Sequence, residues 1–396
     1  MSPFSGGLAR ARAVLAEHFG HPAFRVHQLR VLGPLLSGRS VLAVLPTGAG
    51  KSLCYQVPAL LTEGLTLVVS PLISLMQDQV AALRRRGIAA AYLNSLLSHG
   101  ERRTILDAAL GGRLRLLYCA PERLGSLVRR LAQAERAVAL MAVDEAHCIV
   151  EWGNEFRPVY RRLGEYRYRL GDPVTIALTG SATPTTRAAI VRVLRVPHAE
   201  VVLTSFDRPN LVFRVERVGD DRARFARLRQ LIRVPNGRTI VYAPTRRLTE
   251  LVTRALLRMG VRAAPYHAGL CPRTRRQVLL GFLRDRVPVV VATSAFGMGI
   301  DKPDVRRVVH WGPPHTLEAY YQEAGRAGRD GRRAECLILW KPDDLEWRQC
   351  AAELRRYVDA RGCRRRMLLA YFGERLTRCT GCDRCGGAEG TGKGEG

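Results

Sequence analysis

The segment Val41-Leu42-Ala43-Val44-Leu45-Pro46-Thr47-Gly48-Ala49-Gly50-Lys51-Ser52 predicts a buried strand, then a glycine-rich loop, then the start of an apolar helix. Glycines let the loop turn so that its N–H groups converge, and the helix N-terminus adds a dipole that favours an anion. The loop therefore predicts a site for the phosphates of a nucleotide, with Lys51 reaching the β- and γ-phosphates and Ser52 ligating Mg²⁺. The residues assigned to this site are Thr47, Gly48, Ala49, Gly50, Lys51 and Ser52. A strict pattern also has a glycine where this chain has Leu45.

Short apolar strands alternate with amphipathic helices on both sides of this segment. Strands buried on both faces and separated by helices indicate parallel α/β sheets. The strands predicted for the first half are Val41–Leu45, Leu65–Ser70, Leu114–Cys119, Ala137–Val143 and Val174–Leu178. Those predicted for the second half are Thr239–Tyr242, Val261–Tyr266, Val287–Ala292 and Val305–His310. We expect the halves to join near Ser205–Asn210, where a proline and turn-forming residues interrupt the pattern.

An acidic motif, Asp144-Glu145-Ala146-His147, follows the predicted strand Ala137–Val143. A carboxylate at the end of a buried strand can hold Mg²⁺, usually through water, while its neighbour orients and deprotonates the attacking water. We therefore assign Asp144 to the metal and Glu145 to the role of general base. The tetrapeptide alone is weakly diagnostic, and its position one strand away from a phosphate loop strengthens the assignment.

Basic residues exceed acidic ones by 63 Lys plus Arg to 35 Asp plus Glu, which gives a formal charge of +28. This excess favours a polyanionic partner, because neutralising phosphates releases counterions and supplies affinity that is independent of sequence. Compositional drift is the alternative, since only four basic residues are lysines. No apolar run approaches the roughly 20 residues of a membrane span, and a secretory signal is absent, so we expect a cytoplasmic protein.

The ten cysteines fall into two groups. Six are scattered and are predicted to be packed thiols: Cys54, Cys119, Cys148, Cys271, Cys336 and Cys350. The other four have the spacing of metal ligands: Cys363, Cys379, Cys382 and Cys385. Four thiolates with no open position predict a structural, tetrahedral Zn²⁺ site. An iron–sulfur cluster is the chemical alternative, because C-x₂-C-x₂-C also occurs in ferredoxins.

The acidic motif extends to Cys148-Ile149, and Trp152-Gly153 and Phe156-Arg157-Pro158 follow it. These residues closely resemble the RecQ family, which belongs to the DEAH-box helicases of superfamily 2. The resemblance covers about residues 19–385. It implies an α/β fold with two RecA-like parallel-sheet domains that clamp ATP between them, followed by a small helical zinc-binding domain. It also implies movement along single-stranded DNA with 3′→5′ polarity.

The domain organisation that we expect follows from the motifs and the strand pattern. Residues 1–204 and 205–342 form the two RecA-like domains, residues 343–386 the zinc-binding domain, and residues 387–396 a disordered tail. Many RecQ proteins continue into a winged-helix domain and a further helical DNA-binding domain, the HRDC domain. We expect this chain to be a short form that lacks both.

The resemblance assigns further residues of the first domain. The set assigned to adenine recognition is Phe24, Arg25 and Gln28, with Gln28 reading the base edge and His21 standing where tyrosine is usual. Ser70 and Pro71 resemble a DNA-backbone motif, as does Pro121-Glu122-Arg123. Residues 179–183 resemble the motif that couples the two domains through hydroxyl groups. The coupling set is His147, Ser181, Thr183 and, in the second domain, Gln322.

Residues 149–157 resemble the aromatic-rich loop that couples DNA binding to hydrolysis in this family. Trp152 and Phe156 offer faces for base stacking, and Arg157 offers a cation. Packing in the core is the alternative for the aromatics, although charged residues flank them. Asn154 stands where the family usually has histidine.

The second domain carries the remaining motifs. Asp301 lies in a segment that resembles a nucleotide-binding motif, and residues 322–331 match the motif that supplies arginine fingers. A guanidinium that reaches a transferring phosphoryl group stabilises its charge, an effect of about 10³–10⁵ in kcat. We assign Arg329 as the leading finger and Arg326 as its partner.

These observations predict an ATP-dependent 3′→5′ DNA helicase that uses ATP, Mg²⁺ and Zn²⁺ and serves DNA repair or recombination. Its expected partners are single-stranded DNA and tailed or forked duplexes, bound by a monomer associated with the nucleoid. The alternative is a DNA-stimulated ATPase that translocates or anneals strands and unwinds weakly. A passive DNA-binding protein and an RNA helicase agree less well with the motifs.

Overall fold

The computed structural model describes residues 4–46, 48–151, 158–233, 237–297, 302–347 and 350–385. The chain divides into two compact units, unit 1 (Met1–Ser205) and unit 2 (Phe206–Gly396). The division falls at the segment where a proline and turn-forming residues interrupt the strand pattern. Each unit is a sheet covered by helices.

Seven strands form the sheet of unit 1: β1 (Val41–Val44), β2 (Leu65–Val69), β3 (Ala90–Leu93), β4 (Leu116–Cys119), β5 (Val138–Val143), β6 (Val174–Thr179) and β7 (Glu200–Leu203). They lie in the order β3-β4-β2-β5-β6-β1-β7, and each described pairing is parallel. All residues of β1 and β2 are buried. Because parallel strands are covered on both faces, they consist of continuous apolar runs.

The helices of unit 1 are α1 (Gly7–Phe19), α2 (Val26–Leu36), α3 (Leu53–Ala59), α4 (Ile73–Arg85), α5 (His99–Leu110), α6 (Pro121–Gln133), α7 (Cys148–Glu151), α8 (Leu163–Arg169) and α9 (Pro184–Leu194). Local sequence sets several of their starts. Ser98 and Glu101 form a reciprocal capping box at α5, and Thr183 accepts a hydrogen bond from the backbone of α9. Such caps stabilise a helix by about 1 kcal/mol each.

Six parallel strands form the sheet of unit 2: β8 (Leu211–Arg217), β9 (Arg238–Tyr242), β10 (Ala263–Tyr266), β11 (Val289–Ala292), β12 (Val305–Trp311) and β13 (Ala334–Trp340). Their order is β10-β11-β9-β12-β13-β8. The helices are α10 (Asp221–Arg233), α11 (Arg246–Arg258), α12 (Pro272–Leu283), α13 (Leu317–Ala324), α14 (Pro342–Trp347), α15 (Ala352–Asp359) and α16 (Arg364–Tyr371). Helices α14 and α15 precede the cysteine cluster, and α16 lies between its first two cysteines. Cys382 of this cluster forms an isolated parallel β-bridge with Phe213 of β8.

The predicted parallel α/β sheets are confirmed, and all nine predicted strands are present with ends shifted by up to two residues. Four strands were not predicted: β3, β7, β8 and β13. The first two have only four residues each, and β7 and β8 are edge strands whose sequences include charged residues. Within the described ranges, no helix is both long and apolar enough to span a bilayer.

Candidate active site and metal centre

The phosphate loop leaves the sheet at the end of β1 and enters α3. Gly48 and Gly50 have φ angles of 84° and 74°, in the left-handed region that glycine adopts without strain. The Lys51 ammonium lies over the loop and donates to the carbonyl oxygen of Leu45 at 3.4 Å. Ser52 is the residue immediately before α3. Thr47, which was also assigned to this site, lies outside the described residues.

Side chains from the start of α2 hold the carbonyl groups of this loop. Arg25 donates from Nη1 to the carbonyl oxygen of Gly48 at 2.8 Å. His27 Nε2 lies 2.8 Å from the carbonyl oxygen of Ala49, and it must be the donor because a carbonyl only accepts. Two neighbouring peptide groups of the loop, those of Gly48 and Ala49, are thereby held from one side.

Gln28 completes this contact and is only 3% exposed. Its Nε2 donates to the carbonyl oxygens of Gly50 at 3.1 Å and Ala49 at 3.3 Å, while its Oε1 accepts from the backbone N–H of Arg25 at 2.9 Å. A Cβ atom at position 50 would lie 2.6 Å from Gln28 Nε2. Glycine suits position 50 because of its left-handed φ angle, and a side chain there would displace the Gln28 amide. Phe24, also assigned to adenine recognition, is buried in the core of unit 1.

Asp144 follows β5 at the same sheet edge as the phosphate loop. Its backbone N–H donates to Val69 of the neighbouring β2. Burial raises the pKa of Asp144 to about 7, the adjacent Glu145 carboxylate adds to this rise, and the positive charge of Lys51 opposes it. Asp144 is a buried carboxyl group near Lys51, and its strand β5 is separated from the phosphate-loop strand β1 by β6 alone. Such a group suits a divalent cation, which would favour its ionised form. The donor set of Ser52 and Asp144 therefore fits Mg²⁺.

His147 connects the acidic motif to the coupling motif. The backbone of Glu145 has a φ of 49°, unusual for a residue with a side chain, and its carboxylate lies 3.4 Å from His147 Nδ1. That same nitrogen lies 2.9 Å from Thr179 Oγ1, which in turn donates to the carbonyl oxygen of Ser181 at 3.0 Å. Because the Thr179 hydroxyl proton is used on Ser181, the network assigns the histidine proton to Nδ1. Glu145, His147, Thr179 and Ser181 thus form one polar chain, called the relay.

Of the DNA-contact residues assigned from sequence, the structure describes only some. Ser70 and Pro71 follow β2 and are buried, and Ser70 Oγ has no hydrogen-bond partner in the part of the chain that the structure describes. Their contact with DNA stays a prediction. Trp152, Phe156 and Arg157 lie outside the described residues, as does Asp301.

The two assigned arginines of unit 2 follow α13. Arg326 is buried, donates to the carbonyl oxygen of Gly297 and bonds the hydroxyl of Tyr242. Its Nε finds no partner among the described residues. Arg329 is half-buried. Gln322 lies on α13 itself and is half-buried, so these three side chains share one short segment of unit 2.

The four clustered cysteines converge on one point. Their sulfur atoms all lie within 4.8 Å of one another, and Cys382 Sγ lies 3.9 Å from Cys363 Sγ. Tetrahedral zinc with Zn–S bonds of about 2.3 Å separates its sulfur ligands by about 3.8 Å, so the cluster fits that ion. Burial raises the pKa of Cys382, but backbone N–H groups of Arg384 and Arg364 outweigh it and lower the value to about 7. This favours the thiolate form of Cys382, whereas burial raises the pKa of Cys379 and the hydrogen bond with Cys363 raises that of Cys385.

Two buried arginines join the cysteine cluster to β8. Arg364, next to the ligand Cys363, donates from Nε to Asp383 Oδ1 at 3.2 Å. Asp383 in turn donates its backbone N–H to Phe213 at 3.1 Å and accepts from Val215 at 3.2 Å. Arg365 binds the carboxylate of Asp207 and the backbone carbonyl groups of Arg208, just before β8, and Leu211, the first residue of β8. The metal centre is thus built into unit 2.

Three family models match consecutive parts of the chain: DEAD/DEAH box helicase at residues 25–190, helicase conserved C-terminal domain at 223–331 and RecQ zinc-binding at 341–386. The ATP-dependent DNA helicase RecQ of Bacillus subtilis is 42% identical over 403 residues, which cover 96% of this chain and 67% of that protein. The protein of the same name in Haemophilus influenzae is 40% identical, covering 95% and 63%. This chain belongs to the RecQ family.

The RecQ chain spans about two thirds of the length of these relatives. Its fold also matches the crystal structure of the DUF1998 helicase MrfA bound to DNA and AMPPNP, with a TM-score of 0.72 over 90% of this chain and 53% of that one. At 22% identity, that likeness shows the fold alone. The predicted arrangement of two RecA-like parallel-sheet domains followed by a zinc-binding region is confirmed.

Several polar residues of this RecQ chain were missed by the sequence reasoning. His27 donates to the phosphate loop, and Arg364 and Arg365 anchor the zinc region. His27 stands beside the assigned Gln28, and this adjacency was the available signal. Nothing in the sequence marks two adjacent arginines as buried, because arginine is normally exposed.

Proposed function

We propose that the chain is an ATP-dependent DNA helicase that moves 3′→5′ on single-stranded DNA and unwinds duplexes during repair or recombination. The observation that carries the proposal is the shared sheet edge of unit 1. There the phosphate loop, Asp144 and the relay lie together in a chain of the RecQ family. The relatives' names, ATP-dependent DNA helicase, favour unwinding over the translocase or annealing alternative.

The residues at this sheet edge are positioned for distinct roles in ATP binding and hydrolysis. Lys51 neutralises the β- and γ-phosphates of ATP, and the loop N–H groups bind their oxygens. Ser52 and Asp144 would hold Mg²⁺, which when bound would offset the charge of the phosphates. Glu145 accepts the proton of the attacking water. The neighbouring His147 keeps the carboxylate in place, since its Nδ1 atom lies 3.4 Å from the Glu145 carboxylate.

The relay supplies a path for coupling between ATP turnover and DNA. A change in the position of Glu145 moves His147, and the 2.9 Å contact passes that change to Thr179 and then to the Ser181 backbone. Thr183, two residues further on, caps α9. A shift of this segment therefore moves a whole helix of unit 1. Arg329 and Arg326 are proposed to stabilise the charge on the transferring phosphoryl group.

The cysteine cluster is proposed to hold structural zinc. Four sulfurs leave no open coordination position, and the arginines beside Cys363 tie the cluster to β8. Binding of the ion would therefore stabilise unit 2, because the ligands come from segments that are separated along the chain.

Unwinding of tailed duplexes tests the proposed function. The chain should separate a duplex with a 3′ single-stranded tail when ATP and Mg²⁺ are present, and should leave a matched duplex with a 5′ tail intact. Unwinding of the 5′-tailed duplex alone would reverse the polarity. Hydrolysis of ATP without separation of either duplex would select the translocase alternative.

A further inference from the structure

A basic cavity of about 530 Å³ lies in unit 1 between α5 and α6, beside the end of β3. Four guanidinium groups line it, those of Arg102, Arg103, Arg123 and Arg130, against the single carboxylate of Asp107. Only Arg123 belongs to a motif discussed above. The cavity is therefore a concentration of positive charge that the nucleotide site does not explain.

Helical periodicity brings these arginines together. On α5, Arg102 and Arg103 stand three and four residues after His99, which also lines the cavity, so all three share one face. On α6, Arg130 stands seven residues after Arg123, again on one face. The apolar floor includes Leu127, which is buried. Two basic helix faces thus oppose each other across an apolar floor.

The protein neutralises only part of this charge. Arg103 Nε lies 4.0 Å from Asp107, at the outer limit of an ion pair, and both groups are exposed. Arg102 Nε donates to the carbonyl oxygen of Ser98 at 3.3 Å. The buried Nε of Arg123 has no hydrogen-bond partner in the described ranges. Converging guanidinium groups repel one another and leave donors unused, and an anion in the cavity relieves both effects.

We propose that this cavity binds consecutive phosphodiester groups of the DNA strand, an inference that rests on the proposed function. The cavity begins at Arg123, in the segment that resembles a DNA-backbone motif. A DNA strand that follows this segment therefore continues into the space between α5 and α6. Guanidinium groups match phosphate oxygens in bidentate geometry. The volume lies in the range of small-ligand sites, about 300–1,000 Å³, and accommodates more than one phosphate group.

The test compares two double variants with equal charge loss. Arg103→Gln with Arg130→Gln removes two cavity arginines. Arg113→Gln with Arg129→Gln is the control, because these exposed residues lie beside α5 and on α6 but do not line the cavity. Fluorescence anisotropy with a labelled oligothymidylate measures Kd from about 50 to about 300 mM salt. Thermal unfolding midpoints equal to the parent's establish that each variant is folded.

The cavity variant should bind the oligonucleotide about tenfold more weakly near 0.1 M salt. The slope of log K against log salt should become shallower by about 1.4, which is about 0.7 for each of two lost phosphate contacts. The control should shift far less on both measures. Equal effects of the two double variants, or no effect of the cavity variant, would overturn the proposal.

A second experiment distinguishes DNA from a small phosphate anion as the ligand of the cavity. Titration of the parent protein with inorganic pyrophosphate is compared with the same titration of the cavity variant. Pyrophosphate binding that depends on the cavity, with unchanged oligonucleotide affinity, would also overturn the proposal. Since all these measurements report binding, they stay interpretable even if the chain fails to unwind DNA.

Discussion

Replacing Gln28 by leucine distinguishes two roles for this side chain. The RecQ resemblance implies that Gln28 reads the edge of the nucleotide base, whereas the structure shows it bound to the phosphate loop. Its Nε2 donates to Gly50 at 3.1 Å and Ala49 at 3.3 Å. Leucine has a similar size, so Gln28→Leu removes these hydrogen bonds without leaving a large cavity in a position that is 3% exposed.

The expected loss follows from the two hydrogen bonds to the loop. Each contributes about 1 kcal/mol net, so their removal weakens the ordered loop by about 2 kcal/mol. If triphosphate binding requires that order, Kd rises by about 30-fold. His27 still donates to Ala49 in the variant, and the loop therefore retains part of its support.

Fluorescent analogues of ATP and GTP provide the assay. Loop ordering predicts the same factor for both nucleotides, because the loop contacts phosphates and not the base. Val26→Ala is the control, since Val26 belongs to the same segment and is 76% exposed. A loss confined to ATP, with GTP binding unchanged, would refute the loop-ordering account and support base reading.

Three further predictions concern other parts of the site. The pKa of Asp144 is raised from 3.8 to about 7, so folding takes up a proton and the ionised group increasingly destabilises the fold as pH rises from about 4 through 7. At pH values above 7 and without added Mg²⁺, Asp144→Asn should therefore raise the thermal unfolding midpoint. Equal midpoints for variant and parent would contradict this. His147→Ala should leave ATP binding unchanged but lower DNA-stimulated kcat at least about tenfold, and full stimulation would count against the relay. Cys382→Ser should lower the zinc content and the thermal unfolding midpoint. Cys271→Ser should change neither, because Cys271 is exposed and lies outside the cluster. A brown purified protein that contains iron would show that the cluster holds iron and sulfur instead of zinc.

The strands that position the phosphate site were predictable because burial on both faces leaves a continuous apolar signal. β1 and β5 each end at residues whose chemistry is distinctive, so the loop and Asp144 could be placed without a structure. Strand β3 could not, because Ala90-Ala91-Tyr92-Leu93 is short and alanine has little preference for strands. β8 lies at a sheet edge and includes three charged residues in its second half, and turn-forming residues precede it, so its apolar signal is weak.

The polar contacts between elements were less predictable than the motifs themselves. The contact of His27 with Ala49 joins residues 22 positions apart, and it depends on how α2 approaches the loop. Likewise, the Nη atoms of Arg365 bond the Asp207 carboxylate and two backbone carbonyl groups that lie 154 to 158 positions away in sequence. Spacing alone predicted the convergence of the four clustered cysteines, because two residues separate each of the consecutive pairs among Cys379, Cys382 and Cys385.

ATP hydrolysis with and without single-stranded DNA tests the central claim most directly. In the presence of Mg²⁺, the chain should hydrolyse ATP slowly alone and much faster with an oligonucleotide. Lys51→Ala should abolish turnover in both conditions while it leaves salt-sensitive DNA binding in place, because Lys51 contacts phosphates of ATP in the proposed site. Hydrolysis that DNA does not change, or full turnover by Lys51→Ala, would contradict the claim that this chain is a DNA-dependent ATP-driven motor.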